Sequence, residues 1–173
     1  MLRIIRASDE NMDELMRLRL DMLREVNKLD VSYEFPQNFV EDTKKYFSKG
    51  DQTTLIAVED KAVACATICY FELMPTYDHP GGKRAHIMNV YTEKNFRRQG
   101  IASTLLYMLV EQAKEKGVTE ITLDAAEDAE SVYFKSGFVK NDESMVLDLG
   151  KLLKKNIELA EKTGCKLPGG CCG

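Results

Sequence analysis

The 173-residue sequence predicts an α/β domain of the α+β type, a mixed, mostly antiparallel central sheet with helices on both faces. Two β-rich runs, 53–58 and 62–71, are joined by the short charged turn Glu59-Asp60-Lys61 and read as an antiparallel hairpin. Further along, strand-like and helix-like segments alternate as strand-helix-strand units. The whole order is β-α-α-β-β-β-α-β-α-β, and mixing a hairpin with such units implies a mixed sheet clothed on both sides.

Each element has a local reason. Residues 2–6 form a first strand. Ser8 or Asp9 then caps a helix with an acidic first turn of Asp9, Glu10, Asp13 and Glu14. Leu15, Leu18, Met22, Val26 and Leu29 recur at helical spacing and form its buried stripe. A connector, 31–35, leads to Pro36, which suits the first turn of a helix over 37–48 that Gly50 ends. After the hairpin, 74–83 holds Pro75, Pro80, Gly81 and Gly82 and reads as a loop. A strand over 85–91 and a helix from about 100 to 116 follow. Gly117 closes that helix, Thr119 opens the next strand, and a short helix carries Tyr133. A last strand is expected over 144–148. Leu149, Leu152, Leu153, Ile157 and Ala160 mark a final amphipathic helix. No repeat or linker interrupts this course, so residues 1–163 are read as one domain and 164–173 as a flexible Cys/Gly-rich tail.

Composition narrows the class. Apolar content of 44% and charged content of 30% are those of a soluble globular protein. A net charge of −4 with no long basic run argues against a nucleic-acid binder. No apolar stretch approaches the ~20 residues that a membrane helix needs. The first residues, Met1-Leu2-Arg3-Ile4-Ile5-Arg6, lack a signal-peptide core, so a cytoplasmic location is expected. Cys65 and Cys69 fall on one face of a strand as small core residues. Cys165, Cys171 and Cys172 lie in the tail without a nearby His, and no metal site is expected, since zinc wants four ligands.

The most informative stretch is Val90-Tyr91-Thr92-Glu93-Lys94-Asn95-Phe96-Arg97-Arg98-Gln99-Gly100-Ile101-Ala102-Ser103. It reads as a strand end, a basic loop and a glycine at the head of a long helix. A helix start offers unpaired N–H groups and a partial positive charge. Arg97 and Arg98 add two full charges, and Gly100, Ala102 and Ser103 leave room for close approach, which makes a site for a phosphate-bearing ligand. It is neither a P-loop, since no Gly-Lys-Ser/Thr follows, nor a dinucleotide fingerprint, since the further glycines are missing.

The spacing Arg97-x-x-Gly100-x-Ala102, after the apolar strand Ile87-Met88-Asn89-Val90-Tyr91, resembles the acyl-CoA signature of the GNAT N-acetyltransferase superfamily. A second element, Val132-Tyr133 followed by Gly137-Phe138, is similar to that superfamily's Leu-Tyr-x-x-x-Gly-Phe segment at the same distance. The resemblance covers about residues 53–148. It implies acetyl-CoA as co-substrate. Pantetheine would pair with backbone at Val90 and Tyr91 on one side and Asp124 and Ala125 on the other. The pyrophosphate would rest on the amides of Arg98, Gln99, Gly100, Ile101, Ala102 and Ser103, with Arg97 beside them. Tyr133 takes the place of the acid that protonates the leaving thiolate. An asparagine common seven residues before that tyrosine is here Ala126.

Acetyl transfer to an amine needs a held thioester, a deprotonated amine (the free amine has a pKa of about 10.4) and a stabilised thiolate. A phenol of pKa about 10 remains protonated at neutral pH and suits the last task. For the base, Glu72 and Glu34 are the first candidates, with Glu93 and His86 beside them. The acceptor pocket is expected from 30–39 and 74–83, with Tyr33, Phe35, Tyr70, Tyr77 and His79 as its walls, and Glu34, Glu72 and Asp78 attract a cationic amine. The expected activity is acetylation of a small-molecule primary amine by direct attack on the thioester. The alternatives are a protein N-terminal or lysine acetyltransferase, or a non-catalytic acetyl-CoA-binding sensor. An edge strand or the last helix leaves a homodimer open.

Overall fold

A computed structural model of the chain describes residues 1–126 and 129–141. Its strands are β1 (Arg3–Arg6), β2 (Gln52–Val58), β3 (Ala62–Glu72), β4 (Lys83–Thr92) and β5 (Glu120–Leu123). Its helices are α1 (Met12–Val26), α2 (Gln37–Lys49), α3 (Ile101–Glu115) and α4 (Glu130–Lys135). The strands form one five-stranded sheet in sequence order. Every pair is antiparallel except β4 and β5, which run parallel with α3 as the crossover. This is the expected mixed sheet. The strand expected at 144–148, the helix after it and the tail thiols lie outside the described residues.

The two faces of the sheet are packed separately, as a mixed sheet with crossovers requires. On one face Leu55, Ala66, Ile68 and Ile87 meet Leu105, Leu106 and Leu109 of α3, all fully or nearly fully buried. On the other, Ile56, Val58, Ala62 and Cys65 meet Leu15 and Leu18 of α1, with Phe47 of α2 packed against them. Burying side chains of this size stabilises by about 1.5–3 kcal/mol each, so α1 and α3 are fixed to opposite faces by their own stripes.

Several local expectations are corrected. α1 begins at Met12, not at Ser8 or Asp9, because residues 9–11 make a 3-10 turn first. Ser8 Oγ bonds the side chain of Asn11 at 3.3 Å instead of capping a backbone N–H. The stripe keeps Leu15 and Leu18 and gains Met16, but Val26 is 60% exposed and Leu29 lies beyond the helix. Among the described residues no helix is long and apolar enough to cross a membrane.

Candidate functional site

The site begins with an irregularity in β4. On β3, Cys65 pairs with Tyr91 and Thr67 with Met88, so β4 spends one extra residue over the interval. That extra residue puts Asn89 in the left-handed region, at φ 56°, a conformation that asparagine tolerates better than most residues. Asn89 is buried. Its Nδ2 reaches Thr67 Oγ1 at 3.4 Å and Cys65 Sγ at 3.6 Å, and its carbonyl accepts from Cys65 Sγ at 3.3 Å. The bulge therefore has its own polar seat beneath α1. A bulged strand bends, and it also shifts the side-chain alternation: Ile87 and Val90 both face the α3 side, and Tyr91 faces α1.

The bend coincides with the end of the parallel pairing. β4 and β5 are in register from Arg84 with Glu120 to Ile87 with Leu123 and no further. Beyond that level β4 stays paired to β3 as far as Thr92, while Asp124, Ala125 and Ala126 are exposed. The two strands part as a wedge. Among the described residues, one edge of β4 from Met88 onward offers unpaired backbone groups, the feature that an extended amide-bearing arm can complete as an added strand.

At the mouth of the wedge a 3-10 turn, residues 94–96, leads into the loop at the head of α3. Arg98 has φ 64° and Gly100 φ 79°. These left-handed residues turn successive amides toward one side, as in an anion-binding nest. The first bond of α3 runs from the amide of Thr104 to the carbonyl of Gly100 at 3.0 Å. The amides of Arg98, Gln99, Gly100, Ile101, Ala102 and Ser103 have no hydrogen-bond acceptor among the described residues. A Cβ on Gly100 would meet nothing within 4 Å, so the space beside it is open. A row of unpaired N–H groups at the positive end of a 15-residue helix is an anion cradle.

The two arginines are separated by the structure. Arg97 turns back onto its own scaffold. Its Nε donates to the Thr92 carbonyl at 2.8 Å, its Nη2 pairs with Glu25 at 2.8 Å, and it lies over the Tyr91 ring at 5.8 Å. It ties the loop to the end of α1. Arg98 is exposed and has no ion pair among the described residues. Gln99 bonds the Asn95 carbonyl at 3.3 Å.

The acid and base candidates fare differently. Tyr133 is half-buried on α4, edge-on to Phe138 with ring centroids 6.1 Å apart, and it packs against the α3-side core. Glu34 is exposed on the α1–α2 connector. That connector reaches the wedge end of the sheet, since α1 finishes at the Glu25–Arg97 pair and Arg24 bonds the Tyr33 carbonyl at 3.1 Å. Tyr33, Phe35 and Phe39 form an aromatic run there, with centroids 5.0 and 5.5 Å apart. Glu72 is not brought to the wedge. It pairs with Lys83 at the opposite end of β3 and β4 and faces a cleft of about 530 Å³ that Tyr70, Glu115 and Lys116 also line. Glu93 is taken up by Arg17 at 2.5 Å and Lys61 at 3.3 Å. His86 stands one residue before the parting point, with Nδ1 2.8 Å from Thr122 Oγ1 and Nε2 3.8 Å from Asp124. His79 and Lys83 belong to the far end with Glu72. The loop over 74–83 therefore starts and ends at the end of the sheet remote from the wedge.

Two residues escaped the sequence reading. Asn89 was legible only as an unusual residue in a β-rich run. Arg19 falls on α1 four residues after Leu15, beside the buried stripe, and contacts Asn89 Oδ1 at 3.5 Å.

Known acetyltransferases share this fold. The crystal structure of a predicted acetyltransferase with acetyl-CoA from Clostridium acetobutylicum superposes with a TM-score of 0.77 at 27% identity, covering 88% of this chain and 99% of that one. A GCN5-related N-acetyltransferase from Ralstonia eutropha shares the fold, with a TM-score of 0.72 at 19% identity over 86% of this chain and 99% of the other. A probable glucosamine 6-phosphate N-acetyltransferase 2 from Oryza sativa subsp. japonica is 30% identical over 102 residues, 57% of this chain. The glucosamine 6-phosphate N-acetyltransferase of Trypanosoma brucei brucei is 30% identical over 77 residues, 44% of this chain. The matches span 61% and 52% of those two relatives. The model of the acetyltransferase (GNAT) family matches residues 19–138, a span that runs from α1 through the wedge and the amide cradle to Phe138, and the chain belongs to that family.

Proposed function

We propose that this chain transfers an acetyl group from acetyl-CoA to the primary amine of a small molecule, by direct attack of the amine on the thioester. The observation that carries the reading is the unpaired β4 edge ending in an amide cradle. The edge suits the amides of a pantetheine arm, and the cradle with Arg98 suits the pyrophosphate at its end. Val90 and Tyr91 on β4 and Asp124 and Ala125 at the exit of β5 are the backbone positions that flank the arm. Holding the thioester in the wedge turns a bimolecular encounter into an oriented one.

Tyr133 supplies a proton to the departing thiolate. The base is drawn from groups at the wedge end: Glu34 on the connector, and His86, whose Nε2 lies 3.8 Å from Asp124. Glu72 is remote from this chemistry. The curated relatives act, by name, on glucosamine 6-phosphate, so amino sugars and their phosphates lead the list of acceptors to assay. Pairing of the arm with both strands is expected to leave room for a small amine on the α1 side.

The test joins binding to turnover. Calorimetric titration with acetyl-CoA is expected to give micromolar affinity that an Arg98→Glu, Gly100→Glu double variant loses. Free CoA release with an amine panel is then expected, and Tyr133→Phe is expected to lower kcat by more than about tenfold. Binding without CoA release from any amine or peptide would favour a sensor. Faster acetylation of peptides than of small amines would move the acceptor to protein.

A further inference from the structure

α1 carries two arginines two residues apart, and their surroundings differ. Arg17 is satisfied by Glu93, by Asp21 at 3.7 Å and by the Ala62 carbonyl. Arg19 is half-buried and has no carboxylate within ion-pair distance among the described residues. Its one hydrogen bond there is the 3.5 Å contact from Nη1 to Asn89 Oδ1, for a group with five N–H donors. What surrounds it is polar but uncharged: Asn89, the Cys65 and Cys69 thiols, and the Thr54–Thr67 hydroxyl pair at 2.8 Å that continues the track. Loss of solvent lowers the pKa of Arg19 from the ordinary arginine value, yet a guanidinium remains charged at neutral pH. A cation drawn partly out of water without a counter-ion is unfavourable until an anion joins it.

Its position says where that anion comes from. Asn89 is the bulge residue at which β4 leaves β5, so Arg19 stands at the apex of the wedge, on the α1 side of the sheet. The phosphate loop is tied to α1 at Glu25, about 9 Å of helix rise further on. The coenzyme's phosphates are accounted for by that loop, and a pantetheine arm in the wedge carries no anionic group. The geometry points to Arg19 as the residue that reads an anionic group, phosphate or carboxylate, on the acceptor amine. This rests on the acetyl-transfer reading above. A guanidinium forms paired hydrogen bonds with either oxyanion, whereas an amine or a neutral sugar gives it nothing to bind.

The experiment compares matched acceptors in wild type, Arg19→Gln and Arg19→Lys. Glucosamine 6-phosphate is set against glucosamine, and an α-amino acid against its amide. Wild type is expected to favour the anionic member of one pair by at least tenfold in kcat/KM, and the pair concerned separates phosphate from carboxylate. In R19Q the KM for that member rises more than tenfold and the preference disappears, while R19K recovers part of it. A purely structural arginine would slow both members alike. Acetyl-CoA titration reports whether each variant is folded. Should no amine be acetylated, calorimetric binding of the four compounds to wild type and R19Q still reads the site, which separates this proposal from the catalytic one. An absence of anion preference in wild type, or an equal loss for both members of each pair in R19Q, would overturn it.

Discussion

In the proposed reading, Gly100 and Arg98 serve the same anion by different means. At φ 79° Gly100 holds a conformation that costs an L-residue about 1–2 kcal/mol, and no atom lies within 4 Å of where a Cβ would stand. Gly100→Ala is therefore expected to lose about 1 kcal/mol in denaturant unfolding, from the backbone alone, and to weaken acetyl-CoA further because the methyl enters the cradle. Arg98→Ala is expected to leave stability within about 0.5 kcal/mol, since the side chain is exposed, and to lower affinity at least tenfold in low salt. Equal loss of stability in both variants would mean that the loop is held by Arg98 and not by its backbone. Arg97 marks the limit of the sequence here. Its spacing from Gly100 is legible in the chain, but its partner Glu25 lies 72 residues away, and only the fold shows that one arginine braces the loop while its neighbour faces solvent. Glu72 is the same lesson reversed. Its place after an apolar strand suggested a site carboxylate, but the direction and face of that strand, set by pairing with β4, carry it to the far end.

At the scale of elements, what was legible follows periodicity, and what was not depends on pairing. The β2–β3 hairpin, α2 and α3 agree with the expected runs within a residue or two, because each is signalled by its own punctuation: the charged turn at 59–61, Pro36, Gly50, Gly100 and Gly117. The bulge in β4 has no such signal. Asn89 sits in a run of strand-forming residues, and the extra residue exists only relative to β3. Its substitution separates its two contributions. Asn89→Gly keeps the left-handed conformation and removes the side-chain bonds to Thr67 and Cys65, an expected loss of about 1–2 kcal/mol. Asn89→Val removes the same bonds and adds the left-handed penalty for a β-branched residue, for a total of about 3 kcal/mol. It is also expected to weaken acetyl-CoA more than Asn89→Gly does, as β4 straightens toward β5 and narrows the wedge. Urea unfolding and calorimetry on the two variants would measure both effects. If Val proves no worse than Gly, the wedge does not depend on the bulge.

Two properties of the whole molecule follow from what is buried between its layers and what is left open. Cys65 is fully buried beneath α1, and loss of solvent pushes its thiol up to about 12. The unfolded thiol ionises near 8.5, so the folded state holds its proton longer. The stabilisation is complete below about pH 8.5 and is lost as pH rises from there toward 12, reaching a loss of about 2 kcal/mol near pH 10. Thermal unfolding between pH 8 and 10.5 is expected to show a drop that Cys65→Ala reduces, and an unchanged slope in that variant would assign the drop to other groups. The open wedge has the opposite consequence. Among the described residues the edge of β4 beyond Ile87 has no strand partner and the amides at the head of α3 have no acceptors, and the β3–β4 ladder and the Arg97–Glu25 pair fix the backbone of both. A ligand that joins the β4 edge, the β5 exit and the α3 cradle has nothing comparable to bind in the unfolded chain. At a hundred times its Kd, acetyl-CoA should therefore stabilise the fold by about 2.7 kcal/mol, which raises Tm by about 5–10 °C for a chain of this size. Adenosine 3′,5′-bisphosphate, which lacks the pantetheine arm, should give a smaller shift that Arg98→Glu removes. The additional shift from the arm should survive Arg98→Glu and fall in Asn89→Val. If the two compounds give equal shifts, the phosphate end alone carries the binding, and the parted strands are not where the thioester is held.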